Sequence, residues 1–296
     1  MFSGFNIKID ESFFGANYKF LILRAICFGS KHNSVKDNIK DLIKSDSLSA
    51  SQISEDWFPQ VEADVFISHS SSDKELALAL AGWLEINFGI NSFIDSLFWN
   101  YAGDLLTEIN NEYSERRNTR ENGVLYNPQK CNKASEHVNI LLNAALHKLI
   151  DKTESVFFLN TDNSIQVFDH EGRITQNTYS PWIFSEILCT QIVRKKPLIY
   201  YRPKYNIQST ILEHSDIKDF QLETRSLEIP YEVSLRHLEN VSERELEKWL
   251  HMDKSKFFGY PLDGLYYLST NYRDELRRAR KYIAHKNNIR DSDFLL

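Results

Sequence analysis

A chain of 296 residues, 42% hydrophobic and 26% charged, has the composition of an ordinary globular protein and the length to bury a large core, which excludes wholesale disorder. Ten glycines and seven prolines exclude collagen-like and low-complexity classes. A formal net charge of −6 makes nucleic acid a poor partner, because phosphate binding rests on a basic surface.

In chain order, residues 5–9 alternate apolar and polar side chains, the period of a short strand. The apolar run at residues 18–29 is interrupted by Arg24 and too short to span a bilayer, and the first residues lack the positive start of a signal peptide. Phe2, Phe5, Phe13, Phe14, Phe20 and Phe28 are therefore expected to pack on a core. A helix is predicted over 35–43 and a polar linker over 45–54.

Asp64-Val65-Phe66-Ile67 reads as a strand that ends in Ser68-His69-Ser70-Ser71. A capping-box pattern, Ser72 to Glu75, opens a helix with Leu76, Leu80, Trp83 and Leu84 on one face, stopped by Gly89. Residues 91–95 form a second strand, giving a βαβ unit with parallel pairing. A helix over 103–117, a polar insertion near 115–135 and a further helix through Val138, Leu142 and Leu149 lead to a third strand, Ser155-Val156-Phe157-Phe158-Leu159. A polar loop at 160–179 precedes a helix opened by Ser180 as N-cap and Pro181 at its first turn. Residues 198–201 and 226–229 read as a fourth and a fifth strand, Ser242 to Glu245 as another capping box, and 263–285 as a terminal helix. Cys27, Cys131 and Cys189 are scattered, with no CxxC and no zinc spacing, which predicts no metal centre and suits a reducing, cytoplasmic setting.

In an open parallel sheet, ligands bind beyond the carboxyl ends of the strands. Ser68 and His69 follow the first strand of the βαβ unit, Asp95 to Trp99 the second, and the helix with Trp182 and Glu186 lies beyond the third. Spacing of i and i+4 puts Trp182 and Glu186 on one helix face. On spacing alone, Glu186 reads as a solvated helix acid near the N-terminal dipole rather than a catalytic group, and Trp182 is equally a core residue.

The run from Asp64 to Asp73 resembles the opening of Toll/interleukin-1 receptor (TIR) domains, Phe93-Ile94-Asp95 their second strand, and Ser180-Pro181-Trp182 to Glu186 their Ser-x-Trp-x-x-x-Glu helix. The resemblance spans residues 61–252, with residues 1–60 and 253–296 as an N-terminal and a C-terminal helical extension. It implies an α/β, flavodoxin-like three-layer fold with a parallel sheet of about five strands. It also implies cleavage of NAD+ with Glu186 catalytic, as in bacterial, plant and axon-degeneration members. Ser68, His69, Asp95, Trp99, Tyr179, Ser180 and Trp182 are its expected substrate-binding residues, with NAD+ as substrate and neither cofactor nor metal. For stand-alone bacterial members, the implied role is anti-phage defence of the Thoeris type, by a nucleotide signal to a downstream effector or by NAD+ depletion. The alternative is a non-catalytic adaptor acting through TIR–TIR contacts.

The stretch 95–103 lacks the family's Gly/Pro turn and is rich in aromatics: Phe98, Trp99 and Tyr101. Read as a loop, such clustered aromatics are either pocket lining or a contact surface; the resemblance, in which the equivalent loop completes the site of an adjacent copy, implies a homo-oligomer. The templates GxSxG, GxxxxGK(S/T), GxGxxG and HExxH are absent. The basic groups Arg116, Arg117 and Arg120, and Arg273, Arg277, Arg278, Arg280 and Lys281, read as solvated faces among acids.

Overall fold

The computed structural model describes residues 1–31, 63–94, 96–118, 123–170, 173–204, 212–213, 229–253 and 260–286. The helix expected at 35–43, the linker at 45–54, Asp95, Arg120 and residues 226–228 of the expected fifth strand lie outside them.

Five parallel strands form the central sheet: β1 (Ser3–Lys8), β2 (Val65–Ser68), β3 (Ser92–Ile94), β4 (Ser155–Leu159) and β8 (Glu239–Ser242), in the order β3-β2-β4-β1-β8. Three further strands, β5 (Gln166–His170), β6 (Arg173–Thr178) and β7 (Tyr231–Val233), form a separate antiparallel sheet in the order β7-β6-β5. The 160–179 stretch, expected as a loop, is thus largely a hairpin.

Side chains alternate across a strand, so each strand feeds two cores. Phe5, Ile7, Val65, Ile67, Phe157, Leu159 and Val241 join one apolar cluster. Over it lie α1 (Tyr18–Phe28), α2 (Lys74–Phe88), α6 (Glu243–Leu250), α7 (Leu262–Leu268) and α8 (Arg273–Lys286). Phe66, Phe93, Val156 and Phe158 face the other way, toward α3 (Ser96–Tyr113), α4 (Pro128–Lys152) and α5 (Pro181–Ile192). This is the three-layer, flavodoxin-like α/β architecture.

The connectivity holds a surprise. In flavodoxin-like order, 2-1-3-4-5, the fourth place belongs to a strand that follows the third. Counting from β2, that place is taken by β1, paired with β4 through Phe5↔Phe157 and with β8 through Ile7↔Val241. The segment expected as an N-terminal extension therefore begins inside the sheet. Residues 198–201, expected as the fourth strand, lie instead in a 3-10 helix, Leu198–Lys204. The N–H of Tyr200 donates to the carbonyl of Pro197 at 2.9 Å, closing a turn where a strand would need its bonds free for the sheet.

Local signals account for most of the other elements. Gly89 closes α2 in the left-handed region, φ 66°. A Cβ on Gly82 would lie 2.3 Å from the Leu21 carbonyl oxygen, so glycine permits α1 and α2 to touch through their backbones. Ser242 forms the expected capping box with Glu245. The Ser72 pattern does not: a 3-10 turn, Ser71–Asp73, precedes α2, which starts at Lys74 with no side-chain cap. Helix α3 starts at Ser96, so the stretch expected as an aromatic loop is the first turns of a helix. The expected terminal helix is two, broken where Ser269 Oγ accepts the N–H groups of Asn271 and Tyr272. Phe2, Phe5 and Phe14 are buried, but Phe20 is 59% exposed. Among the described residues, no helix is long and apolar enough to cross a membrane.

Beneath the amino ends of the strands lies a buried ionic cluster. Both Arg202 Nη1 contacts to the Glu154 carboxylate are 3.0 Å, and Arg202 Nη2 donates to Asp263 Oδ1 at 2.5 Å. Arg280 Nε lies 3.6 Å from Asp263 Oδ2, and Tyr266 Oη donates to Glu154 at 2.9 Å. Arg280, expected on a solvated face, is buried here, whereas Arg277 and Arg278 make the expected exposed pairs with Asp274 and Glu275.

Burial pushes the Asp263 carboxyl from 3.8 up to about 6. The folded chain thus holds that proton more tightly than the unfolded chain. This group's stabilising contribution is full below pH ~4 and is lost as the pH rises through its folded pKa. Arg202→Met leaves two buried carboxylates without their shared cation, and is expected to cost about 3–5 kcal/mol at neutral pH. The deficit should shrink at mildly acidic pH, where Asp263 takes up its proton. Urea denaturation at both pH values measures it, and a deficit that grows on acidification counts against the account.

Candidate functional site

The alternation that sends Ile67 into one core sends Phe66 and Ser68 to the face covered by α3, α4 and α5. Ser68 is the last residue of β2, so its hydroxyl sits at the carboxyl edge of the sheet. Helix α5 begins as its sequence predicts, with Ser180 Oγ accepting the Ile183 N–H at 3.3 Å and Pro181 in the first turn. Ile183 and Ile187 anchor the helix against Phe158 of β4. With that face fixed inward, Glu186 also turns toward the sheet, and Ser68 Oγ donates to Glu186 Oε2 at 2.5 Å. Glu186 and Ser68 are each 1% exposed, and His69 is 3% exposed. Glu186 is therefore not a solvated helix acid.

The other expected site residues fall around this pair unevenly. Trp182 is half-buried and packs against the cluster of Phe66, Phe93 and the α3–α4 side chains. Ser180 is committed to capping α5. Tyr179 is 37% exposed just beyond β6. Trp99 falls in the first turns of α3, which leaves the sheet at the carboxyl end of β3, next to β2.

Polar groups that the spacing did not single out hold α5 from outside. Ser185 Oγ donates to Asn143 Oδ1 at 2.6 Å and lies 2.9 Å from His147 Nε2, both on α4. Thr190 Oγ1 donates to the Ile187 carbonyl and lies 2.7 Å from His237 Nε2. The only signal available for the first group is the i, i+4 spacing of Asn143 and His147 on one helix face. Burial pushes the Cys189 thiol on the same helix up to about 11, which leaves it without nucleophilic character at neutral pH.

On the opposite face of the sheet is a cleft of about 610 Å³ lined by Asp10, Glu11, Asp73, Glu75, Asp162 and Tyr18, among others. Asp73 accepts hydrogen bonds from Thr161 Oγ1 at 2.5 Å and Asn163 Nδ2 at 2.7 Å. Burial, with Glu11 and Glu75 adding, pushes the Tyr18 hydroxyl up to about 12. Such a wall of carboxylates repels an anionic ligand. Among the described residues, no group of three or more His, Cys, Asp or Glu side chains is placed to hold a metal ion.

Compared with protein-family models, with curated proteins and with solved structures, the chain matches none.

The Ser68–Glu186 bond joins β2 to α5 in a dry setting, where a hydrogen bond to a carboxylate is worth more than at the surface. Ser68→Ala is expected to lower stability by about 1–3 kcal/mol. Glu186→Gln keeps an acceptor oxygen for Ser68 and should cost less. Denaturant titration of the three proteins ranks them; a Ser68→Ala protein as stable as the parent would show that the bond contributes nothing to the fold.

Proposed function

We propose that this chain is an NAD+-cleaving enzyme of the TIR type, with Glu186 as its catalytic carboxylate. One observation carries the reading: the two motifs that resemble the family, 118 residues apart, meet in the Ser68–Glu186 hydrogen bond at the carboxyl edge of a parallel sheet. The chemistry suits one buried carboxylate. In NAD+ the nicotinamide is already a cationic leaving group, so the bond from its ring nitrogen to ribose C1′ breaks with the electron pair going to nitrogen and needs no strong acid. The transition state is oxocarbenium-like, and a fixed carboxylate beside the ribose stabilises that charge. A water, or another acceptor, then bonds to C1′ and loses its proton. The products are nicotinamide and an ADP-ribose that is linear, cyclic or conjugated. Ser68 holds one carboxylate oxygen, and Trp182 and Trp99 belong to the elements that wall the carboxyl edge.

In a bacterial cell this reaction would serve anti-phage defence in the cytoplasm, by a nucleotide product that a downstream effector senses or by NAD+ loss. The alternative, a non-catalytic adaptor, acts through contacts between copies and needs no catalytic carboxylate.

Incubation of the purified chain with NAD+ and chromatographic resolution of the products tests the proposal. Glu186→Ala and Glu186→Gln should abolish nicotinamide release while circular dichroism stays native. Turnover near that of the parent by a folded Glu186→Ala protein would sink the assignment.

A further inference from the structure

Helix α5 carries Glu186 inward and, one residue earlier, Ser185 outward. A serine hydroxyl has one hydrogen. Ser185 spends it on Asn143 Oδ1, at 2.6 Å. The contact of 2.9 Å with His147 Nε2 must therefore run the other way, with the ring N–H donating to Ser185 Oγ. Burial holds the His147 ring below its ordinary ionisation range, consistent with a neutral imidazole carrying its hydrogen on Nε2. Asn143 and His147 are i and i+4 on α4, so their side chains close on Ser185 like two jaws, one accepting and one donating.

At the far end of α5 the arrangement repeats. Thr190 spends its hydrogen on the Ile187 carbonyl at 2.7 Å and so accepts from His237 Nε2 at 2.7 Å, while Gln191 Nε2 donates to the Ser234 carbonyl at 2.9 Å. Apolar packing tolerates small rotations of a helix about its axis, whereas these directional bonds do not. Rotation of α5 is what would carry Glu186 away from Ser68.

We propose that Asn143 and His147 are positioning residues that act through Ser185 to fix the rotation of α5 and thereby the aim of the Glu186 carboxylate. The inference rests on the reading of Glu186 as the catalytic group. Neither residue touches the reacting atoms; their effect is on the geometry in which Glu186 meets the substrate.

The test uses the full chain with Asn143→Ala, His147→Ala, His147→Gln and Ser185→Ala, and Ile192→Ala as a control at an exposed position of the same helix. In the jaw variants, kcat for NAD+ should fall about tenfold to a hundredfold, as a misplacement of the order of 1 Å does, with KM held within about threefold. His147→Gln should recover most of the loss, because its amide N–H can donate to Ser185. Ile192→Ala should behave as the parent. Separately, carbon-13 NMR of the Glu186 carboxyl should show its titration displaced in Ser185→Ala. Unchanged kcat in folded jaw variants, or His147→Gln as impaired as His147→Ala, overturns the proposal. If the parent chain does not cleave NAD+, the functional reading fails, and the carboxyl titration then decides this proposal alone: an unchanged Glu186 titration in Ser185→Ala overturns it.

Discussion

Burying a cation among carboxylates is costly unless every partner is in place, and this fold commits to that arrangement around Arg202. The guanidinium reaches Glu154 just ahead of β4 and Asp263 on α7, while Arg280 on α8 approaches the same aspartate. Tyr266 closes the group from α7, and its hydroxyl lies 3.1 Å from Ser3 Oγ on β1. Four separate stretches of chain are thus fixed to one another beneath the amino ends of β1 and β4. Helices α7 and α8 are structural parts of the sheet domain: Leu265, Tyr266, Leu276 and Ala279 share one apolar cluster with Phe5 and Phe157.

With the amino edge pinned, polar groups gather at the carboxyl edge, and they differ between the two faces of the sheet. On the α1–α2 side the cleft is walled with carboxylates. On the α3–α5 side one carboxylate is turned inward to Ser68. The same alternation of side chains across β2 that sends Ile67 to one core sends Ser68 to the other. The site owes its polarity to the period of a strand, and its position to the apolar anchoring of α5 on Phe158.

How much of this the residues disclose in advance varies with the range of the interaction. Strands β2 and β4, helix α2 and the start of α5 are written in short-range signals: apolar runs bounded by polar clusters, a glycine stop, a Ser-Pro cap. That Ser68 and Glu186 share one sheet edge was reachable because both motifs are local and their order points there; the hydrogen bond between them was not. The place of β1 was not, since residues 5–9 alternate like a half-exposed strand while the fold buries Asn6 as well as Phe5 and Ile7, against Asn240 at 2.7 Å. Residues 198–201 look like a strand in composition, but the place beside β4 is already filled. Arg280 looks solvated among neighbouring arginines, because nothing within its helix signals Asp263. The jaws on Ser185 lie about 40 residues away on another helix, at a distance local patterning does not reach.

The placement of β1 also bears on how the molecule is made. Ser3 and Ser155 are hydrogen-bonded neighbours separated by 152 positions, and the strand on the other side of β1 does not begin until Glu239. During translation an interior strand bearing Phe5 and Ile7 leaves the ribosome long before either of its partners exists. Its apolar side chains and unpaired edges are open to neighbouring nascent chains for that whole interval. The β2–α2–β3 unit, whose contacts are close in the chain, can form before β1 takes its place between β4 and β8. Of all the strands in the sheet, the earliest to emerge is among the last that can be secured.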